Sequence, residues 1–276
     1  MKKYLNERFG EERALYGSKN IIIEKCKFEG EEDGESALKE CEDLEIIDTT
    51  FKLRYPLWHV NKATLKNCKM TTGCRAALWY DEDIHIQDSK LYGIKALREC
   101  ENIKIENTII HSKEFGWMSE EIEMNDCTLK GEYPFLKAEE LKLDNFELKG
   151  KYSFQYCEDI VITNSYLDTK DAFWHAENVL VEDSIIKGEY LAWYSENVTL
   201  RNCKIIGTQP FCYCKNLVLE NCEMIDCDLS FENSSVKATI TGEITSIKNP
   251  KSGFIKANSI KEIILEKETE CEIITK

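Results

Sequence analysis

Aliphatic and polar residues alternate along this chain in short bursts, and the bursts return on a fixed period. The segment Asn197-Val198-Thr199-Leu200-Arg201-Asn202-Cys203-Lys204-Ile205 comes back as Asp159-Ile160-Val161-Ile162-Thr163-Asn164-Ser165-Tyr166-Leu167 and as Asn216-Leu217-Val218-Leu219-Glu220-Asn221-Cys222-Glu223-Met224. Numbered from the first aliphatic, the repeats start at Ile21, Leu44, Ala63, Ile84, Ile103, Ile122, Leu141, Ile160, Val179, Val198, Leu217 and, weakly, Val236. From Ile84 onward every interval is 19 residues, and the first three are 23, 19 and 21. A period of this size marks a solenoid, in which each unit buries its apolar face only by stacking on its neighbours.

The alternation at the start of each unit is the period-two pattern of a strand with one buried face. Four residues on stands Asn or Asp, at Asp48, Asn67, Asp88, Asn107, Asp126, Asn145, Asn164, Asp183, Asn202 and Asn221. These residues tolerate a left-handed backbone, so a sharp bend is expected there. A small or thiol-bearing residue follows (Cys26, Cys68, Ser89, Cys127, Ser165, Cys203, Cys222), then a second short strand carrying Phe28, Phe51, Met70, Leu91, Leu129, Leu148 or Ile205. Glycine often comes next, as at Gly93, Gly131, Gly188 and Gly207, and marks a second turn. A third strand is expected before the next start. Its inward column reads Leu38, Leu57, Leu78, Leu97, Phe135, Phe154, Phe173 and Phe211, with Pro56, Pro134 and Pro210 just ahead of three of them. Proline at a strand's first residue is tolerated and in a helix interior is not, which disfavours a helical unit. Leucine-rich repeats need longer units with a helical segment, and a left-handed hexapeptide helix needs a period divisible by six. The expectation is an all-β, right-handed parallel β-helix of about 12–13 coils of 19–23 residues, with three short strands per coil.

Two phrases, Asn197-Val198-Thr199-Leu200-Arg201-Asn202-Cys203 and Asn102-Ile103-Lys104-Ile105-Glu106-Asn107-Thr108, resemble the coil repeat of pectate-lyase-like proteins. Phe9-Gly10-Glu11-Glu12-Arg13-Ala14-Leu15-Tyr16, Tyr55-Pro56-Leu57-Trp58 and Asp171-Ala172-Phe173-Trp174 resemble an uncharacterised bacterial family, a domain of unknown function within that superfamily. The resemblance spans almost the whole chain. It implies the fold and no activity.

The continuous repeat makes the 276 residues one domain, with residues 1–17 as an N-terminal cap, 18–240 as repeats and 241–276 as an irregular last coil and C-terminal cap. The net charge of −15 argues against nucleic acid and anionic membranes as partners. No apolar run approaches the ~20 residues of a membrane span. The N-terminus has no apolar signal region, which fits a cytoplasmic protein. Nine of the thirteen cysteines fall in two small columns, Cys26, Cys68, Cys127, Cys203 and Cys222 in one and Cys41, Cys100, Cys157 and Cys214 in the other. Thiol there serves as a small core residue, and no zinc-type Cys-x-x-Cys spacing appears, so neither metal nor cofactor is expected. Glu31, Glu32, Asp33 and Glu35 form an acidic insertion read as a solvated loop rather than a calcium site.

All five tryptophans, Trp58, Trp79, Trp117, Trp174 and Trp193, lie five residues before a repeat start. Lys39, Arg98 and Gln155 share the column, so it is expected to point away from the core. The adjacent column reads Glu40, His59, Tyr80, Glu99, Met118, Lys137, Tyr156, His175, Tyr194 and Tyr213. Together they suggest a ligand-binding face made of Trp58, His59, Trp79, Tyr80, Trp117, Trp174, His175, Trp193 and Tyr194, for an oligosaccharide or a protein, against the simpler reading of aromatics that merely cover a sheet. In pectate-lyase-like enzymes the substrate groove lies along the outside of the equivalent strand. An enzymatic alternative is therefore a carbohydrate-active lyase using Lys137, Tyr156 and His175 as base and acid, or a glycoside hydrolase using Glu99. Short turns, the absence of Gly-His-Gly and Asn-Thr-Asp motifs, and the negative charge weigh against it and favour a non-catalytic binding protein or scaffold.

Overall fold

The computed structural model describes residues 1–30 and 34–275. Its chain falls into two compact units, Met1–Glu139 and Glu140–Lys276. Both are wound from one kind of turn. There are about fourteen turns of parallel β-solenoid, with no helix among the described residues, and the class is the right-handed parallel β-helix that the periodicity predicts.

The aliphatic alternation forms the longest strand of each turn. In the first unit the strands Lys19–Glu24, Glu42–Ile47, Asn61–Lys66, Glu82–Gln87, Glu101–Glu106 and Glu120–Asn125 pair in parallel. Their register sets Ile21, Leu44, Ala63, Ile84, Ile103 and Ile122 side by side. In the second unit Glu158–Thr163, Glu177–Glu182 and Glu196–Arg201 do the same with Ile160, Val179 and Val198. All of these aliphatics are buried. One sequence repeat is thus one turn, and the hydrophobic period and the hydrogen-bond register coincide.

The Asn/Asp bend is left-handed at every turn, with φ of 52° at Asp48 and Asn67, 51° at Asp88, Asn164 and Asn202, and 54° at Asn221. These short polar side chains also tie turn to turn. Asn67 Nδ2 donates to Asp48 Oδ1 at 2.6 Å, Asn107 Nδ2 to Asp88 Oδ1 at 2.7 Å, and Asn221 Nδ2 to Asn202 Oδ1 at 2.9 Å. The small residue that follows closes the corner. Ser165 Oγ donates to Thr163 O at 2.6 Å and accepts the Phe146 N–H at 3.0 Å. Cys68 and Cys203 thiols donate to the equivalent carbonyls, Lys66 O at 3.4 Å and Arg201 O at 3.2 Å. Thiol and hydroxyl interchange here because the site asks for a small donor next to buried backbone. All thirteen cysteines are free and buried. Desolvation pushes Cys68 and Cys203 up to about 12 and Cys127 up to about 11, far from the reactive range.

The ends carry the turns beyond the expected twelve or thirteen. Lys2–Leu5 and Arg8–Phe9 pair in parallel with Lys19–Glu24 and Lys27–Phe28, so the segment read as a cap is laid down as a turn of the solenoid. Ser235–Ile240, Ser252–Ala257 and Glu270–Thr275 continue the long sheet of the second unit. Of the acidic insertion, Glu31, Glu32 and Asp33 lie outside the described residues, and Glu35 pairs with Arg54 at 3.4 Å.

The third side differs from the expected strand. Among the described residues it forms paired strands at Leu57–Trp58, Leu78–Trp79 and Leu97–Arg98, with a single parallel bridge from Arg98 on to Trp117. In the second unit every second residue there is left-handed: Tyr152, Phe154 and Tyr156, then Asp171, Phe173 and His175, then Tyr190, Ala192 and Tyr194. Turn-to-turn hydrogen bonding persists, with Phe173 N–H donating to Ser153 O at 2.9 Å and Ala192 N–H to Ala172 O at 2.8 Å. Left-handed residues contract the chain, which lets six residues close the turn while Phe154 and Phe173 still stack inside at 4.8 Å and 8°.

Candidate functional site

The tryptophan column and its neighbour both lie on this third side. The neighbour is the bend itself, for φ is positive at His59, Tyr80, Glu99, Met118, Lys137, Tyr156, His175, Tyr194 and Tyr213. Aromatic side chains on a left-handed backbone are uncommon, at a cost of roughly 1–2 kcal/mol per residue. Each gives its N–H to the next turn, as His59 does to Trp79 O at 3.0 Å and His175 to Trp193 O at 3.0 Å. The side chains then project from the corner. Tyr80, Tyr156 and Tyr194 are 40%, 50% and 47% exposed.

In the first unit four rings form a parallel block. Trp58 lies on Trp79 at 5.3 Å and 10°, His59 on Tyr80 at 5.0 Å and 16°, and Trp79 beside Tyr80 at 18°. Lys39 Nζ covers Trp58 at 4.0 Å, and the Arg98 guanidinium lies 5.7 Å from Trp117. The indole N–H groups of Trp58 and Trp79 are buried without an acceptor. Trp117 instead donates to Tyr133 O at 2.6 Å.

In the second unit the rings follow another plan. Tyr156, His175, Tyr194 and Tyr213 stack in a single file at 4.9, 5.1 and 4.7 Å, with 5°, 8° and 7° between planes. Trp174 and Trp193 donate to Tyr190 O at 2.9 Å and Gln209 O at 2.7 Å. That latch turns Trp193 to 77° from Tyr194 and 74° from Tyr213, a herringbone of edges on faces.

The tryptophans lie outside the core as expected, yet they are half-buried and laid against their neighbours rather than standing free. The ring faces of the Tyr/His file are largely spent on each other. What it offers a ligand is a row of ring edges, hydroxyls and imidazole nitrogens at one-turn spacing.

The acid–base candidates have different surroundings. Glu99 accepts from Arg98 Nε at 2.7 Å. Burial raises its pKa, but the Tyr80 hydroxyl and the Arg98 guanidinium outweigh burial and hold the carboxyl below its usual range. A glycosidase acid needs the opposite shift. The same contact with Glu99 raises the Tyr80 phenol. His175 is sandwiched between Tyr156 and Tyr194. Lys137 is exposed in the first unit, whereas Tyr156 and His175 belong to the second. Among the described residues no group of three His, Cys, Asp or Glu side chains is placed to hold a metal.

Sequence reasoning missed one buried group beside this face. Asp81 is 1% exposed, accepts the Val60 N–H at 2.8 Å through Oδ1, and leaves Oδ2 without a partner. Its signal was available, as the one acid in a column that elsewhere holds Cys41, Cys100 and Ser195.

Residues 2–275 match the family model described as "Protein of unknown function (DUF3737)". No curated protein matches the chain. Similar solved structures include PfbA, a surface adhesin of Streptococcus pneumoniae, at 10% identity over 81% of this chain and 71% of that one, with a TM-score of 0.35. The A-module of the mannuronan C-5 epimerase AlgE4 of Azotobacter vinelandii is similar at 11% identity over 87% and 89%, with a TM-score of 0.35. A tailspike protein of an E. coli bacteriophage is similar at 9% identity over 92% and 62%, with a TM-score of 0.37.

Proposed function

The chain belongs to the DUF3737 family of proteins of unknown function, and from its third side we propose that it is a non-catalytic β-helix that binds a carbohydrate or protein ligand through the aromatic face. The observation that carries this reading is the file Tyr156–His175–Tyr194–Tyr213. Four large rings stand at a corner on left-handed backbone. Local strain of this kind persists where the surroundings over-determine it, and exposed aromatics gain little from solvent. Prestacked rings also bring contact area whose rotamer entropy is already lost, which favours recognition. The free, buried thiols fit a reducing compartment, and we place the protein in the cytoplasm.

The test is an oligosaccharide and peptide array probed with the purified protein, followed by titration of any ligand found. His175→Ala with Tyr194→Ala should weaken binding at least tenfold while the melting temperature holds. A ligand bound equally well by the double variant would place recognition elsewhere. Turnover of that ligand, lost on changing Lys137, Tyr156 or His175, would replace the binding reading with the enzymatic one.

A further inference from the structure

The long sheet of the second unit carries a shallow groove of about 580 Å³ on its outer face. Its floor is a column of small side chains, with Val161, Leu180 and Thr199 in direct register. Val161 is 37% exposed. The same outward column in the first unit reads Ile22, Glu45, Thr64, His85, Lys104 and Glu123, mostly long and polar. Within the second unit this column thus carries a run of shorter, less polar side chains between Lys142 and Lys237.

One wall is an amide ladder. Asn178 Nδ2 donates to Asp159 Oδ1 at 2.9 Å, Asn197 Nδ2 to Asn178 Oδ1 at 3.1 Å, and Asn216 Nδ2 to Asn197 Oδ1 at 3.0 Å. An amide has two donors and two acceptor lone pairs. Asn178 and Asn197 each keep one N–H and one lone pair after the ladder is made. Left-handed backbone at Asp159, Asn178 and Asn197 fixes where these groups stand. The other side holds Arg201, which bonds Glu182 at 3.1 Å and Glu220 at 2.6 Å. Lys142, which forms no ion pair among the described residues, stands at the end of the floor column one repeat before Val161.

We propose that this groove binds a neutral oligosaccharide laid along the stack of turns, at a site separate from the aromatic face. Hydroxyls are donor and acceptor at once, and so match the spare N–H and lone pair of each amide. Ring C–H faces suit the Val161–Leu180–Thr199 floor. The groove lining has no excess of positive charge, since Glu140 and Asp159 stand against Lys142 and Arg201 and Arg201 is itself held by Glu182 and Glu220, while the whole chain carries −15 and repels an anionic polymer. Periodicity decides against an extended peptide. Its same-side groups repeat every ~6.6 Å, two residues of ~3.3 Å each, whereas the rungs repeat every ~4.8 Å, so a strand falls out of step by the second rung. A pyranose chain advances by about one ring per residue, close to one rung.

The experiment is calorimetric titration of the full chain with neutral tetrasaccharides of gluco, xylo, manno and galacto configuration, with tetragalacturonate and a Thr-Val octapeptide as contrasts. At least one neutral tetrasaccharide should saturate the protein. Leu180→Arg, which fills the floor, should weaken it at least tenfold, and Asn178→Ala with Asn197→Ala severalfold, at unchanged melting temperature. Thr199→Arg serves as a second block if Leu180→Arg alters melting. Tyr194→Ala should leave this affinity unchanged, so failure here and failure of the aromatic face are read separately. No saturation by any neutral tetrasaccharide, binding indifferent to both blocking variants, or saturation by tetragalacturonate or the peptide alone would overturn the proposal.

Discussion

Among the small residues at the inner corner of the turns, Asp81 alone is an acid, and it is sealed from solvent with one oxygen unpaired. Burial raises its carboxyl well above the ordinary carboxylate range, against the Val60 and Trp79 backbone contacts that favour the charge. Cys41 and Cys100 feel the same group, which adds to the rise that burial gives their thiols. A folded pKa above the unfolded one means that the contribution of Asp81 is fully present below ~3.9 and is lost as pH rises through the folded pKa. Asparagine keeps an oxygen for the Val60 N–H and removes the ionisation. Asp81→Asn should therefore stabilise the protein at pH 7.5 by about 1–3 kcal/mol, the usual cost of an uncompensated buried polar group, and give little gain at pH 4. Urea unfolding at the two pH values measures this. An asparagine variant less stable at both would show that the acid makes a contact worth keeping.

The strand that opens each repeat was legible because its two faces differ in chemistry. Ile162 is fully buried and its neighbour Val161 is 37% exposed, as alternation requires. Ile162→Asp should abolish soluble expression, since it buries an unpaired charge in a continuous stack, whereas Val161→Asp should shift the melting point by a few degrees at most. Equal damage at both positions would contradict the strand phase. The Asn bend was legible for a related reason, since Asn and Asp announce left-handed backbone. The third side was not. Most of its left-handed positions, such as Tyr152, Phe154, Tyr190, Ala192 and Phe211, are residue types chosen for stacking or size that give no signal of φ above zero, and Asp171 is an exception. The same blind spot hid the set of the tryptophans. Sequence placed the column outside the core, but whether an indole finds a carbonyl sixteen residues on, as Trp174 finds Tyr190, depends on turn geometry that a one-letter pattern does not carry. The groove over Leu180 was missed because a lone aliphatic on an outer face reads as noise until the register sets Val161 and Thr199 beside it.

At the scale of the molecule, a solenoid is held by neighbour contacts, so its stability is local in a way that a globular core is not. The thirteen buried thiols report on this, because they run from Cys26 to Cys271. Each is excluded from solvent, and burial also raises the pKa of thiols such as Cys68, Cys203 and Cys271, so reaction with a thiol reagent requires local opening. Terminal turns have one neighbour instead of two and open first. Cys271, at 8% exposure and pushed up to about 11, sits on the last described strand and should react fastest. Cys68 and Cys203, both about 12 and almost fully buried, should lag by at least a hundredfold. Mass spectrometry of alkylated peptides over a time course reads each site separately, and unfolding in denaturant without reductant should then release all thirteen thiols. A common rate at every cysteine would mean that the chain opens only globally, and the neighbour-by-neighbour account would fail. A shortfall of thiols after unfolding, with Cys203 linked to Cys222 on the adjacent turn, would instead show that the stacked column is an oxidisable one and that the reducing compartment is misassigned.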